Sequence, residues 1–259
     1  MKINLSPDNT VFTFINKIVD VMWLSILWSL ISLPLMFGLV FLFLGFINPD
    51  LPYMGLENIG ILTPIVAIPI ACFPVGPASA ALYYAIVKVV RRERGYATRQ
   101  FFHGLKENFK HGALSSLAYG LFIGVLFVDL FLAPMTMNND TMVSILTGVL
   151  YVNAILALFM LTWINPLLSR FNVTMKELFK NSFITAVRCM PRTLIMAAFW
   201  AGIVYVLWNF SGAYVFMLPF FLPGVSALLR SFIIEPVFKK MVGDQSDAEA
   251  SGVDAWYAE

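Results

Sequence analysis

Long apolar runs are the feature that most restricts the fold of this chain. Six of them follow one another, at 21–47, 61–87, 113–133, 142–164, 193–209 and 212–234. A membrane-spanning helix needs about 20 apolar residues, and all of the runs except the fifth reach that length. Because lipid offers the backbone no hydrogen bonds, runs of this length cross a membrane as helices. The runs therefore predict an all-α membrane protein with six transmembrane helices.

The composition excludes a soluble protein and separates a short tail from the rest. The chain is 59% hydrophobic and only 12% charged, whereas soluble domains average about 25% charged residues. The last segment, 243–259, carries five acidic residues and no basic residue. Such a segment cannot bury enough apolar surface to fold alone. We expect a single membrane domain over 1–242 and a flexible acidic tail.

The positions of the charges predict the orientation. With the N-terminus inside, the connections at 48–60, 134–141 and 209–213 lie outside, and they contain no Lys or Arg. All 17 basic residues then lie on the inner side, as the positive-inside rule requires of a cytoplasmic face. Connections with and without basic residues thus alternate along the chain, which favours six spans with both termini in the cytoplasm. It also leaves a basic inner face that attracts anionic lipid headgroups or an acidic partner.

Two segments of the inner face have apolar residues at helical spacing. They are Thr98–Lys110 and Thr174–Phe183, and the second opens with a capping box formed by Thr174 and Glu177. We expect two short amphipathic helices on the cytoplasmic side, lying along the membrane surface or docked on a partner. The candidate residues for lipid or partner binding are basic: Arg91, Arg92, Arg94, Arg99, Lys106, Lys110, Lys176 and Lys180.

The second apolar run is interrupted by prolines and followed by small residues. Each proline removes a backbone donor, which predicts a kinked helix buried among its neighbours. Small residues let another helix approach closely, and a broken helix is also where transporters bind solutes. The sixth run carries a similar motif. The candidate residues for packing or for a solute path are Pro74, Gly76, Pro77, Ser79, Tyr83, Tyr84, Pro223 and Gly224.

Signatures of catalysis, cofactor binding and metal binding are missing from the sequence. His103 and His111 lack metal-ligand spacing. The sequence has no phosphate-binding glycine loop, and no span contains paired carboxylates. Arg230 and Glu235 lie near the inner end of the sixth run, where charged groups reach the membrane surface. We expect no enzyme activity, no cofactor and no metal. We also expect no nucleic-acid partner, because membrane topology already accounts for the basic residues.

The motif residues carry a family resemblance. The sequence around the second run resembles the YesL-like family of bacterial membrane proteins. The residues that carry the resemblance are Gly76–Tyr84, Lys88, the Arg-rich segment that follows it, Phe101, Phe102 and 106–110. The SLP sequence at 32–34 is also similar. The biochemical function of that family is unassigned. The resemblance implies a protein of the bacterial cytoplasmic membrane that is associated with sugar import.

Three functional hypotheses follow. The leading one is a non-catalytic accessory or scaffold protein that contacts the permease subunits of an ATP-driven (ABC-type) carbohydrate importer. The second is a small solute transporter or channel in its own right, with the kinked second and sixth spans lining the path. The third is an envelope sensor whose acidic tail binds a cytoplasmic partner. The lipid bilayer is a partner in every case, and a second copy of the chain is a further candidate.

Overall fold

The computed structural model describes residues 10–34, 63–91, 95–136, 139–171, 173–209 and 218–243. These residues form α-helices, one π-helical turn and their connections, with no strand among them. The helices are α1 (Thr10–Ile31), α2 (Thr63–Cys72), α3 (Val75–Ala85), α4 (Ala97–Thr136), α5 (Asp140–Arg170), α6 (Met175–Arg188), α7 (Met190–Asn209) and α8 (Leu218–Gly243), and the π-helical turn is Ile86–Arg91.

Five stretches of helix within the described residues are long and apolar enough to cross a membrane. They are Phe14–Ile31, Ile65–Arg91, Ala97–Leu130, Asp140–Arg170 and Phe221–Met241. The chain is therefore an all-α membrane protein. Helix α7 covers the predicted fifth run but is not one of the five, so the count of six spans stays a prediction. The tail after Gly243, the second half of the first run and the whole loop after it lie outside the described residues.

The start of α1 differs from the sequence-based expectation. The apolar run predicts a span beginning at Val21, but α1 runs without a break from Thr10 to Ile31. No proline or glycine interrupts this stretch, so nothing in the backbone favours a bend there. The polar side chain of Asn16 is exposed, and those of Lys17 and Asp20 are half-buried. The stretch of α1 that is long and apolar enough to cross a membrane begins at Phe14, earlier than the run predicts.

Helix α4 also corrects an expected boundary. The segment Thr98–Lys110 was expected to be a short separate helix, but it forms the first turns of a continuous helix of 40 residues, Ala97–Thr136. Gly112, the expected joint, lies inside the helix and packs against the backbone of Pro77. A bend of the helix at Gly112 would break this close contact. The amphipathic stretch is therefore an extension of the third span.

The proline-rich second run is broken, as its sequence predicts. Helix α2 ends at Cys72, a turn follows at Phe73 and Pro74, and α3 resumes at Val75. The amide of Phe73 donates to the carbonyl of Pro69 at 3.0 Å, so the turn keeps part of the helical hydrogen bonding. Helix α3 is almost entirely buried and packs chiefly against α4. It then passes into the π-helical turn, which carries the chain to Arg91.

Helix α6 begins with the predicted capping box and lies against the bundle. The backbone amide and the hydroxyl of Thr174 both donate to the Glu177 carboxylate, at 3.0 and 2.8 Å. Leu178 and Ala186 are buried in one cluster with Trp163 and Phe238. A second cluster contains Leu24, Ile86 and Phe101 and joins α1, the π-helical turn and α4. The two clusters form the core that positions the polar groups described next.

Candidate functional site

A buried ion pair lies where α3, α5 and α8 meet. The Nη1 atom of Arg170 is 2.5 Å from Oε2 of Glu235, and the two side chains are 4% and 3% exposed. The hydroxyl of Tyr83 donates to the other carboxylate oxygen of Glu235 at 3.3 Å. Each of the three residues comes from a different helix. We call this group the Arg–Glu–Tyr cluster.

The surroundings of the Arg–Glu–Tyr cluster are apolar and aromatic. The guanidinium of Arg170 lies 5.8 Å from the ring centre of Phe238, and that ring contacts Trp163 and Phe171 edge to face. In such surroundings a single charge is far more costly than a charge with its partner. Arg170 and Glu235 therefore hold α5 and α8 in one mutual position.

Sequence reasoning missed the Arg–Glu–Tyr cluster. Glu235 was interpreted as a group that reaches the membrane surface, but its side chain is buried against Arg170. The sequence does contain a signal for the cluster, because Glu235 is the only acidic residue in α8 and the other charged residues of that helix are all basic. The choice of Arg170 as its partner is not visible in the sequence, since 65 positions separate the two residues.

Other cations near the Arg–Glu–Tyr cluster attach neighbouring elements to α8. Arg91, at the end of the π-helical turn, donates from Nη1 to the carbonyl of Ser231 at 2.6 Å and lies 4.8 Å from the ring centre of Phe232. Arg230 lies 5.5 Å from the ring centre of Trp200 on α7. Arg91 is one of the residues predicted to bind a partner or lipid at the inner face, and in the structure it is half-buried against α8.

The remaining basic residues of the predicted face are on the surface. Arg99, Lys106 and Lys110 are exposed along the first turns of α4, and Lys176 and Lys180 are exposed on α6. Arg92 and Arg94 lie outside the described residues. The structure therefore leaves two separate exposed basic patches, one on each helix, and removes Arg91 from both.

The predicted small-residue motif makes close helix contacts. A Cβ atom on Gly112 of α4 would lie 2.8 Å from the Cα atom of Pro77 on α3, and one on Gly76 would meet the carbonyl of Gly112. Pro74 and Pro223 are half-buried, and the side chain of Tyr84 is buried beside Gly104. These contacts place Gly76, Pro77 and Tyr84 in the packing of α3 on α4.

Two hydrogen bonds connect the same motif to α1. The Trp28 indole donates to the Ser79 hydroxyl at 2.9 Å, and the backbone amide of Gly224 donates to the Ser25 hydroxyl at 2.9 Å. Both acceptors are hydroxyl groups on membrane helices. Hydrogen bonds between such helices contribute about 0.6 kcal/mol each to stability on average. The first and last described spanning helices are thereby joined through the motif.

Metal-binding chemistry finds no support among the described residues, where no group of three His, Cys, Asp or Glu side chains is close enough to hold a metal ion. His103 pairs instead with Glu107 one turn away, at 3.1 Å on the exposed surface of α4. Cys72 and Cys189 are both free thiols.

One exposed face of α6 is apolar as well as basic. Its buried side consists of Leu178, Ser182, Thr185 and Ala186. On its outer side Phe183, Ile184 and Val187 are about half-exposed, next to the cations Lys180 and Arg188. We call this outer side the α6 face.

The comparisons with known proteins match part of the chain. A family model described as "Protein of unknown function, DUF624" matches residues 21–130, which extend from α1 into α4. Neither the search of curated proteins nor the search of solved structures found a match. The matched region contains the proline break, the Gly76–Gly112 contact and Tyr83, whereas Arg170, Glu235 and the α6 face lie beyond it.

Proposed function

We propose that the protein is a non-catalytic accessory or scaffold subunit in a bacterial cytoplasmic membrane, and that it docks a carbohydrate importer of the ABC type through its cytoplasmic face. The observation that carries the proposal is the α6 face. It presents half-exposed apolar residues and cations on a helix whose other side is fixed in the core. Aromatic, aliphatic and basic side chains together are typical of helices that bind a partner in a groove.

The Arg–Glu–Tyr cluster supports a scaffold role because it makes the docking helix rigid. Arg170 is the last residue of α5, and only four residues separate it from the start of α6 at Met175. Its ion pair with Glu235 therefore holds the connection to α6 close to α8. A surface that is ordered before binding loses little conformational freedom when a partner docks.

The identity of the partner rests on the resemblance to the YesL-like family, whose implied context is sugar import. The matched family model has no assigned function, so the choice of an importer is the proposal's own step. The exposed basic residues of α4 and α6 favour a partner with an acidic surface.

The test is affinity purification of tagged protein, expressed at its native level and extracted in mild detergent. We expect permease subunits of a carbohydrate importer among the co-purifying proteins. The double variant Lys176→Glu, Lys180→Glu should reduce their recovery at least tenfold, because it reverses the charge beside the α6 face. Asp140→Lys, an exposed charge change at the start of α5, is the matched control and should leave recovery unchanged. Tagged protein that purifies alone would contradict the proposal.

A solute transporter or channel is the second candidate. The broken span at Phe73 and Pro74 and the buried Tyr83–Glu235 contact favour it, since transporters bind solutes at discontinuous helices and buried charges. Flux of a labelled sugar into liposomes that contain only this protein is the test. Flux that is lost in Glu235→Gln would support a transporter, and empty-liposome rates for the wild type would rule it out.

A further inference from the structure

A groove of about 580 Å³ lies between α1 and α8, and Val90 and Arg91 of the π-helical turn also line it. Its volume is within the range of roughly 300–1,000 Å³ that small-molecule sites occupy. Helices α1 and α8 are held together beside it, because the Gly224 amide donates to Ser25 and a Cβ atom on Gly224 would meet that hydroxyl. The groove is thus a built feature of the helix packing.

The walls of the groove combine an apolar lining with two cations. Ile18, Val21, Val225 and Leu228 are representative of the apolar lining, and Lys17 and Arg91 are its charged members. No acidic side chain is among the residues that line it. A ligand that fits must therefore have a long apolar part and a negatively charged end.

Arg91 is oriented for binding by its contacts with α8. One of its N–H groups donates to the Ser231 carbonyl, and its guanidinium lies over the Phe232 ring. A guanidinium has five N–H donors, and the hydrogen bond to Ser231 uses one of them while it fixes the position of the group. A planar donor group of this kind suits a phosphate.

The two cations lie where spanning helices end. Arg91 is the last residue of the span Ile65–Arg91, and Lys17 is within one turn of the start of the span Phe14–Ile31. These positions correspond to the headgroup level of a bilayer, while the apolar lining continues along the spans. Basic pockets between spanning helices on the cytoplasmic side are typical sites for anionic lipid headgroups.

We propose that this groove binds one anionic phospholipid of the surrounding membrane, with its phosphate at Lys17 and Arg91 and an acyl chain along α1 and α8. The lipid fills the space between the first and last described spanning helices. This site is independent of the α6 face and does not rest on the proposed partner.

Native mass spectrometry of the full chain tests the site, with palmitoyl-oleoyl phosphatidylglycerol and phosphatidylcholine in equal amounts. We expect the wild type to retain one phosphatidylglycerol in preference to phosphatidylcholine. Lys17→Gln should lower that preference about fivefold, since one cation near a headgroup contributes about 1 kcal/mol. Arg192→Gln, which removes an exposed cation outside the groove, should leave it unchanged.

A second pair of variants tests the acyl position without altering charge. Val225 lines the groove and is 43% exposed, whereas Leu229 on the same helix is 44% exposed and does not line it. Val225→Trp should abolish lipid retention, and Leu229→Trp should not. Melting curves of each variant report whether it is folded.

Three outcomes would overturn the proposal. They are equal retention of the two lipids by the wild type, equal loss in Val225→Trp and Leu229→Trp, and a full chain that retains no lipid although a chain ending at Gly243 does. The last result would identify the acidic C-terminal segment as the occupant of the groove.

Discussion

Arg170 and Glu235 form a buried contact in which each charge depends on the other. Both are almost completely buried, and their atoms approach to 2.5 Å. The attraction within such a pair is largely offset by the cost of removing both charges from water. Its consequence for the fold is therefore specificity: α5 and α8 pack stably only in the arrangement that keeps the pair together.

Removing one member of the pair should be much worse than removing both. We expect Glu235→Leu to lower the free energy of unfolding by about 3–5 kcal/mol, because it leaves Arg170 buried without its carboxylate. The double variant Arg170→Met, Glu235→Leu should recover most of that loss. Unfolding of the detergent-solubilised protein, followed by tryptophan fluorescence during SDS titration, measures both. Additive losses in the double variant would contradict this account.

Glu177 couples the start of α6 to pH. The amide and hydroxyl of Thr174 hold the pKa of the Glu177 carboxyl below its usual range. A lowered pKa in the folded state means that the contribution to stability is complete above the pKa of the unfolded chain. It is lost as the pH falls through the folded value.

We expect the first turn of α6 to lose protection in acid. Hydrogen exchange of the amides from Met175 to Lys180, corrected for intrinsic rates at each pH, should show more opening below the usual Glu pKa of about 4.3. In Glu177→Gln this pH dependence should disappear, while the helix itself remains. Identical pH profiles in the two proteins would show that the carboxylate does not cap the helix.

At the scale of elements, the contact between α3 and α4 depends on glycine. Gly76 and Gly112 face each other so closely that a Cβ atom on either would overlap the neighbouring helix. The close approach lets Ser116 donate to the carbonyl of Phe73 at 3.1 Å. That carbonyl lies at the proline break, where the helix cannot satisfy all of its own acceptors. The glycines therefore stabilise the broken span, because they let α4 come close enough to satisfy this carbonyl.

Gly112→Ala should destabilise the protein by about 1–3 kcal/mol through overpacking, although alanine is the better helix former. Gly148→Ala is the matched control, because nothing lies within 4 Å of a Cβ atom at that helical position. It should leave stability unchanged or raise it by up to about 1 kcal/mol. SDS titration of the two variants compares them directly. Equal effects would show that α3 and α4 have room to separate.

For the whole molecule, α7 determines how the two ends of the chain are arranged. Five stretches qualify as spans within the described residues, and α7 is a further helix of 20 residues between α6 and α8. At 1.5 Å per residue, a helix of this length is about 30 Å long, enough to cross a bilayer. If α7 crosses the membrane, Lys240 at the end of α8 lies on the same side as Lys110.

Cysteine labelling should show this arrangement. In a background with Cys72 and Cys189 replaced by serine, single cysteines at Lys110, Lys180 and Lys240 should react with an impermeant maleimide only after permeabilisation. A cysteine at Ser144, exposed near the start of α5, should react in intact cells. Labelling of the Lys240 position from outside would mean that α7 does not cross, and five spans would replace six.

The class of protein and several local features could be predicted from sequence. Apolar run length indicates membrane helices, the prolines predict a kink in the second run, and Thr174 with Glu177 predicts the capping box. Each of these depends on residues that are neighbours along the chain. Helix ends were predicted less well, because α1 and α4 continue through stretches that looked like boundaries.

Among the candidate sites, too, local features could be predicted from sequence and long-range contacts could not. The small-residue motif was identified from sequence, with packing and a solute path left as alternatives, and the structure describes its packing contacts. The Arg–Glu–Tyr cluster was not found, since its members are brought together from three helices. Arg91 was identified from sequence as a candidate for partner or lipid binding, and only the structure shows that it also contacts α8.

By itself, the sequence determined that this chain is a helical membrane protein, that its second run is interrupted and that α6 starts with a capping box. Hydrophobic run length, proline and capping residues act through the local backbone, so they can be read in order along the chain. Only the tertiary structure decided which buried charges are paired, which cations remain exposed, and that Lys17 and Arg91 line one groove. Those outcomes depend on distances between helices that are far apart in sequence, and helix packing alone sets such distances.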